Sequence, residues 1–213
     1  MNFLPQEIDD YAASHTSTES PMLQALTRET WQKMVMPRMS SGHFQGRVLS
    51  AISKMIRPSS ILEIGTYTAY STWCLAEGLT EKGKLTSIDV NDELGWIHEK
   101  YRPQAINGDK VQFIYGNAVQ VIPTLEGPFD LVFIDADKEN YIQYYKMLIE
   151  KMPSGGWILI DNVLWSGKVV EEIKENDIET QVLDQLNKMV TSDERVENVL
   201  LPIRDGVMIL RKK

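Results

Sequence analysis

From residue 60 onward, short apolar runs alternate with amphipathic stretches of helical period. Ser60–Ile64, Lys84–Asp89, Val111–Tyr115, Asp130–Ile134 and Trp157–Ile160 are each of strand length, and polar turn residues follow each one. Apolar strands separated by helical patterns predict a mainly parallel sheet with helices on both faces. The tail breaks the rhythm. Val196–Pro202 and Gly206–Arg211 are separated only by Ile203–Asp205, too short for a helical crossover, so an antiparallel hairpin is predicted at one sheet edge. Together these runs predict a doubly wound α/β sheet.

The residues before the sheet read as helices. Ser20 is placed to cap a helix with Pro21 at its first position, and Met22, Leu23, Leu26 and Trp31 follow as its apolar stripe. A second helix is expected from about Phe44 to Ile56, ending before Pro58. No internal repeat, low-complexity tract or Gly/Ser linker interrupts the chain, so residues 1–213 are expected to form one domain. Within it, 1–57 form a helical cap and 58–213 the α/β core.

The net charge of −8 weighs against a large nucleic-acid footprint, which needs a basic face. The first residues lack a basic segment followed by an apolar core, and no apolar run approaches the roughly 18 residues that a membrane span requires. Cys74 is the one cysteine, so no internal disulfide can form, which fits a reducing compartment. A cytoplasmic location is expected.

In open α/β sheets ligands bind beyond the carboxyl ends of the strands. The first strand ends in Leu62-Glu63-Ile64-Gly65, followed by Thr66-Tyr67-Thr68-Ala69-Tyr70-Ser71. With a single glycine this is not a dinucleotide fingerprint, and no GxxxxGK[ST] loop is present. The second strand ends in Asp89, 24 residues after Gly65, where a carboxylate can accept both ribose hydroxyls of an adenosine. Adenosine without a diphosphate points to S-adenosylmethionine (SAM). The competing reading makes Glu63 and Asp89 ordinary strand-end acids facing solvent.

Two further apolar strands deliver Asp135, Asp161 and Asn162 to the same edge. Three hard oxygen donors without cysteine or histidine suit Mg²⁺ first, with Ca²⁺ or Mn²⁺ as alternatives, rather than zinc. Lys138 follows Asp135 by three residues, and an ammonium beside a cation meets the condition for a lysine general base. Its matching task is a phenol, whose pKa of about 10 would fall on coordination. The competing reading makes Asp161-Asn162 a turn or helix-capping pair.

Leu62–Ser71, Ile134-Asp135-Ala136-Asp137-Lys138-Glu139-Asn140-Tyr141 and Asp161-Asn162-Val163-Leu164-Trp165-Ser166-Gly167 together resemble the caffeoyl-CoA and catechol O-methyltransferase family. The likeness runs from about Met36 into the C-terminal hairpin. It implies a Rossmann-like, seven-stranded SAM methyltransferase fold and a homodimer. It also implies that Glu63, Gly65, Tyr67 and Ser71 hold the methionine part of SAM and Asp89 the ribose. Asn117 and Ala118 would border the adenine, and Met39 and Ser41 would close over the cofactor. Asp135, Asp161 and Asn162 would bind the metal, Asp135 also lying near the cofactor amine, and Lys138 matches the catalytic lysine. Ala69 replaces a glycine often found in the cofactor turn. The segment Ser40–Gly46 also departs from the family pattern where the acceptor site lies.

His43 and Trp165 are the candidate acceptor contacts, against a surface role for His43 and core packing for Trp165. Lys168, Lys174 and Arg204 lie in segments near the expected mouth. The resulting expectation is metal-dependent methyl transfer from SAM to a hydroxyl of a catechol-like or caffeoyl-type phenol. Two alternatives stay open: methylation of a hydroxylated uridine in tRNA, and a SAM-binding protein without catalysis.

Overall fold

The computed structural model describes residues 5–213, so the first four residues of the expected helical cap lie outside the described ones. Three helices come first: α1 (Gln6–Ser14), α2 (Pro21–Lys33) and α3 (Gly42–Ile56). They are followed by β1 (Ser60–Ile64), α4 (Tyr70–Ala76), β2 (Lys84–Asp89), α5 (Gly95–Tyr101), β3 (Val111–Tyr115) and α6 (Ala118–Val121). The second half comprises β4 (Leu131–Ile134), α7 (Tyr141–Lys151), β5 (Trp157–Asp161), α8 (Ile178–Ser192), β6 (Val196–Leu201) and β7 (Val207–Lys212).

The strands form one sheet in the order β3-β2-β1-β4-β5-β7-β6. The first five are parallel, and β7 runs antiparallel between β5 and β6. The doubly wound sheet with a terminal hairpin is therefore as expected. Alternation along each strand divides the core between the two faces. Leu62, Val132, Ile134, Ile158, Ile160 and Leu210 pack with α7 and α8 on one side. Ile61, Leu131, Phe133 and Leu159 pack with α2, α3 and α4 on the other.

The Ser20 side chain accepts from the Leu23 N–H, capping α2 as its sequence implies. One member of that helix's expected stripe is misplaced: Trp31 is 58% exposed. The stripe turns instead onto Glu29 and Thr30, which are buried. Glu29 is compensated there by Lys33 at 2.7 Å, Lys100 at 2.6 Å and the Tyr101 hydroxyl at 2.8 Å, as a buried acid requires. The second helix starts at Gly42 rather than Phe44.

The strand order reverses between β1 and β4, because the chain winds outward through β2 and β3 and then back through β4 and β5. That is where an open α/β sheet leaves a crevice at its carboxyl edge. Gly65 and Asp135 leave β1 and β4 at this point, and the Asp135 N–H donates to the Ile64 carbonyl at 2.8 Å.

Candidate active site

The turn after β1 is held from three sides. Asp89 at the end of β2 accepts the Thr66 and Tyr67 backbone N–H groups on Oδ2, at 2.9 and 2.7 Å. Among the described residues its Oδ1 accepts only the Asn91 N–H, at 2.9 Å, and so keeps lone-pair capacity for a further hydroxyl donor. Beneath the turn, Glu63 is completely buried and accepts from the Ser71, Thr72 and Ser87 hydroxyls. Burial pushes its carboxyl up to about 7, with the three hydroxyl donors pulling the other way. Glu63 therefore ties β1 to α4 and β2, and Ser71 belongs to that buried network. On the outer side the Tyr67 hydroxyl donates to the Met36 carbonyl at 3.0 Å, joining the turn to the Pro37–Met39 segment. Met39 is 58% exposed there while Ser41 is buried.

The turn needs unusual backbone. Gly65 has φ +95°, Tyr67 +48° and Ala69 +68°. The alanine in place of a glycine thus sits in the left-handed region, fully buried, where an L-residue costs roughly 1–2 kcal/mol. Asn117 caps α6 by accepting from the Val119 N–H at 2.9 Å, with Ala118 buried behind it.

His98 supports this turn and was not singled out from sequence. It is fully buried, its Nε2 lies 2.7 Å from the Tyr67 carbonyl and its Nδ1 3.0 Å from the Tyr115 hydroxyl. A carbonyl only accepts, so Nε2 carries the hydrogen and Nδ1 accepts from Tyr115.

The acidic edge lies next to it. Ile134 pairs with Ile160 in the β4–β5 register, so Asp135 and Asp161 follow on adjacent parallel strands. Asp161 is buried; burial, with the negative charge of Asp135 beside it, pushes its carboxyl well above the ordinary range. Asn162 has φ +62°, a conformation asparagine tolerates. Among the described residues no group of three or more His, Cys, Asp or Glu side chains is arranged around a point. Asp135, Asp161 and Asn162, the residues expected to hold a metal, would offer two carboxylates and an amide oxygen. Such a hard-oxygen set, with mutually repelling acids, fits a divalent cation.

Lys138 is buried, with Nζ 3.2 Å from Asp135 Oδ1, 2.9 Å from the Ala136 carbonyl and 2.8 Å from the Tyr141 hydroxyl. The Trp165 ring stands 5.6 Å from that Nζ. The chain there turns left-handed at Trp165, Ser166 and Gly167. The segment is fastened to the β6–β7 turn: the Leu164 N–H reaches the Asp205 carbonyl at 2.9 Å, and the Ser166 N–H reaches the Asp205 carboxylate.

Other candidates sit elsewhere. His43 Nε2 lies 2.9 Å from the Ser17 carbonyl, tying α3 to the segment before α2. Lys168 pairs with Asp177 at 2.8 Å, Lys174 is exposed, and Arg204 turns inward toward Ser41 and Gln45.

The geometry can be set beside known proteins. A family model described as O-methyltransferase matches residues 13–213. The caffeoyl-CoA O-methyltransferase of Petroselinum crispum is 35% identical over 196 residues, covering 87% of this chain and 81% of that protein. The SAH-bound methyltransferase of Podospora anserina superposes with a TM-score of 0.88 at 25% identity, covering 100% of this chain and 99% of that one. The O-methyltransferase of Bacillus cereus in complex with SAH gives a TM-score of 0.87 at 26% identity, covering 97% of both chains. The family model over residues 13–213 and these relatives, on a sheet with this switch point, place the chain in the O-methyltransferase family as a SAM-dependent enzyme.

Proposed function

We propose that the chain methylates a hydroxyl of a catechol-like or caffeoyl-type small molecule, with a divalent cation, Mg²⁺ foremost, held by Asp135, Asp161 and Asn162. The observation that carries this reading is the meeting of Asp135, Asp161 and Lys138 at the ends of β4 and β5, beside the cofactor turn. The relatives named caffeoyl-CoA O-methyltransferase support the acceptor class.

When bound, SAM supplies an electrophilic methyl group and the cation would lower the pKa of a coordinated phenol. The chain's own residues do the rest. Glu63, Gly65, Tyr67 and Ser71 shape the seat for the methionine part, Asp89 takes the ribose, and Asn117 and Ala118 border the adenine. Met39 and Ser41 close the seat. Lys138 takes the acceptor's proton at Nζ, steered by Asp135 and the Tyr141 hydroxyl. Trp165 forms a flat wall near that nitrogen, and the common task is alignment of two reactants. Lys168 is neutralised by Asp177 and Arg204 points inward, so neither adds to a basic face for tRNA.

Among the described residues no helix is long and apolar enough to cross a membrane. The buried free thiol of Cys74 supports a reducing, cytoplasmic setting. The exposed Trp31, Val35 and Met36 support an apolar contact between two copies in a homodimer, which sedimentation would detect.

The test is methyl transfer from SAM to a panel of catechols and caffeoyl esters, with Mg²⁺ and with chelator. Product that disappears with chelator is the expected result. Turnover indifferent to chelator would remove the cation. A panel left unmethylated would remove the acceptor class and move the search to hydroxylated uridine in tRNA, read by nucleoside mass spectrometry.

A further inference from the structure

Three separate segments meet at Asp161. Gln45, on α3 and 1% exposed, donates from Nε2 to Asp161 Oδ2 at 2.6 Å. Its Oε1 accepts from Arg204, in the β6–β7 turn, at 2.7 Å. The same Arg204 nitrogen donates to the Ser41 carbonyl and lies 3.4 Å from the Ser40 carbonyl. Asp161 Oδ1 accepts the Asn162 N–H at 2.9 Å.

The chemistry of the partners fixes the direction of this chain of bonds. A guanidinium only donates, so whatever faces Arg204 must accept. The Gln45 amide must therefore turn its oxygen to Arg204 and its nitrogen to Asp161. Each Asp161 oxygen then takes one hydrogen bond and keeps lone-pair capacity for another partner. The carboxylate is held against rotation without being used up, as a metal ligand needs. A buried glutamine with neither partner would carry the cost of unpaired polar atoms.

We propose that Gln45 and Arg204 are positioning residues for the metal-binding carboxylate of Asp161. Arg204 orients the Gln45 amide, Gln45 sets the Asp161 rotamer, and the Ser41 carbonyl anchors Arg204 beside the cofactor. The proposal rests on the cation reading above. Neither residue touches the reacting atoms, so their effect appears first in metal affinity.

The test is titration of Mn²⁺ alone into SAH-loaded protein, followed by electron paramagnetic resonance, with SAH affinity and melting temperature measured alongside. Gln45→Met is expected to weaken Mn²⁺ binding about 10- to 100-fold, the usual effect of losing a partner of a metal ligand, with SAH affinity held within about two-fold. Arg204→Met is expected to weaken it through the freed amide, and Arg204→Lys, which keeps a donor, to restore part of the loss. The double variant should bind Mn²⁺ no worse than Gln45→Met, because the two act in series. Wild-type Mn²⁺ affinity in a folded Gln45→Met protein would overturn the proposal and leave the metal site standing. If Gln45→Met fails to melt cooperatively, the Arg204 pair decides, and equal Mn²⁺ affinity in Arg204→Met and wild type overturns it. No Mn²⁺ binding by the wild type would overturn the cation reading itself, and the proposal with it.

Discussion

The carbonyl oxygen of Asp135 passes so close to Gly65 that a Cβ at position 65 would lie 1.9 Å from it. The ends of β1 and β4 thus touch backbone to backbone, which brings the turn after β1 against the acid that follows β4. Gly65→Ala must displace one of these strand ends, and φ +95° adds strain of its own. A loss of about 3 kcal/mol or more in urea unfolding is expected, with SAM binding lost in calorimetry.

Asp89 has a structural duty beside its proposed one. Asp89→Ala leaves the Thr66 and Tyr67 N–H groups without their acceptor. Stability without cofactor should fall by about 1–3 kcal/mol, besides the loss of SAM affinity. A variant that loses affinity with unchanged unfolding would show that the turn does not depend on this carboxylate.

Lys138→Ala should lower kcat by about 10²- to 10⁴-fold, the usual range for a general base, with the dissociation constant for SAM nearly unchanged. Turnover close to wild type would assign the proton to another acceptor.

His98 gives the turn after β1 a pH dependence. Burial pushes its imidazole below the ordinary value, outweighing the bond to the Tyr67 carbonyl. The unfolded chain then binds the proton more readily than the folded one. His98 contributes its full stability above the unfolded pKa of about 6.5, and that contribution falls as pH drops below it. Melting temperature should decline below this pH more steeply in the wild type than in His98→Gln. Parallel curves would mean that His98 titrates alike in both states.

The sheet was legible because β1, β4 and β5 are buried on both faces, β6 and β7 pair in a tight hairpin, and polar turns bound the less buried β2 and β3. Ser60–Ile64, Lys84–Asp89 and Val111–Tyr115 match the observed strands end to end. The edge carrying Asp135, Asp161 and Lys138 follows from topology once the strands are placed. Single polar residues whose partners lie far along the chain were not legible. Gln45 meets Asp161 across 116 positions and Arg204 across 159, and no local pattern encodes either contact. His98 reads as one more polar residue of a short helix until Tyr67 is folded over it. Trp31 fits the helical period, yet three polar partners make Glu29 the cheaper residue to bury.

The turn between β6 and β7 holds the Ser41 carbonyl, the Gln45 amide and the loop that carries Trp165, all of which precede it in the chain. During synthesis the side of the crevice built around Asp89 and Asn117 can therefore form while residues 204–212 are still to be made. The side built around Asp161 and Trp165 cannot. A nascent or truncated chain lacking this hairpin would have β5 as a bare sheet edge, open to pairing with another chain. Completion of that side of the crevice and protection from misassembly thus arrive with the same few residues.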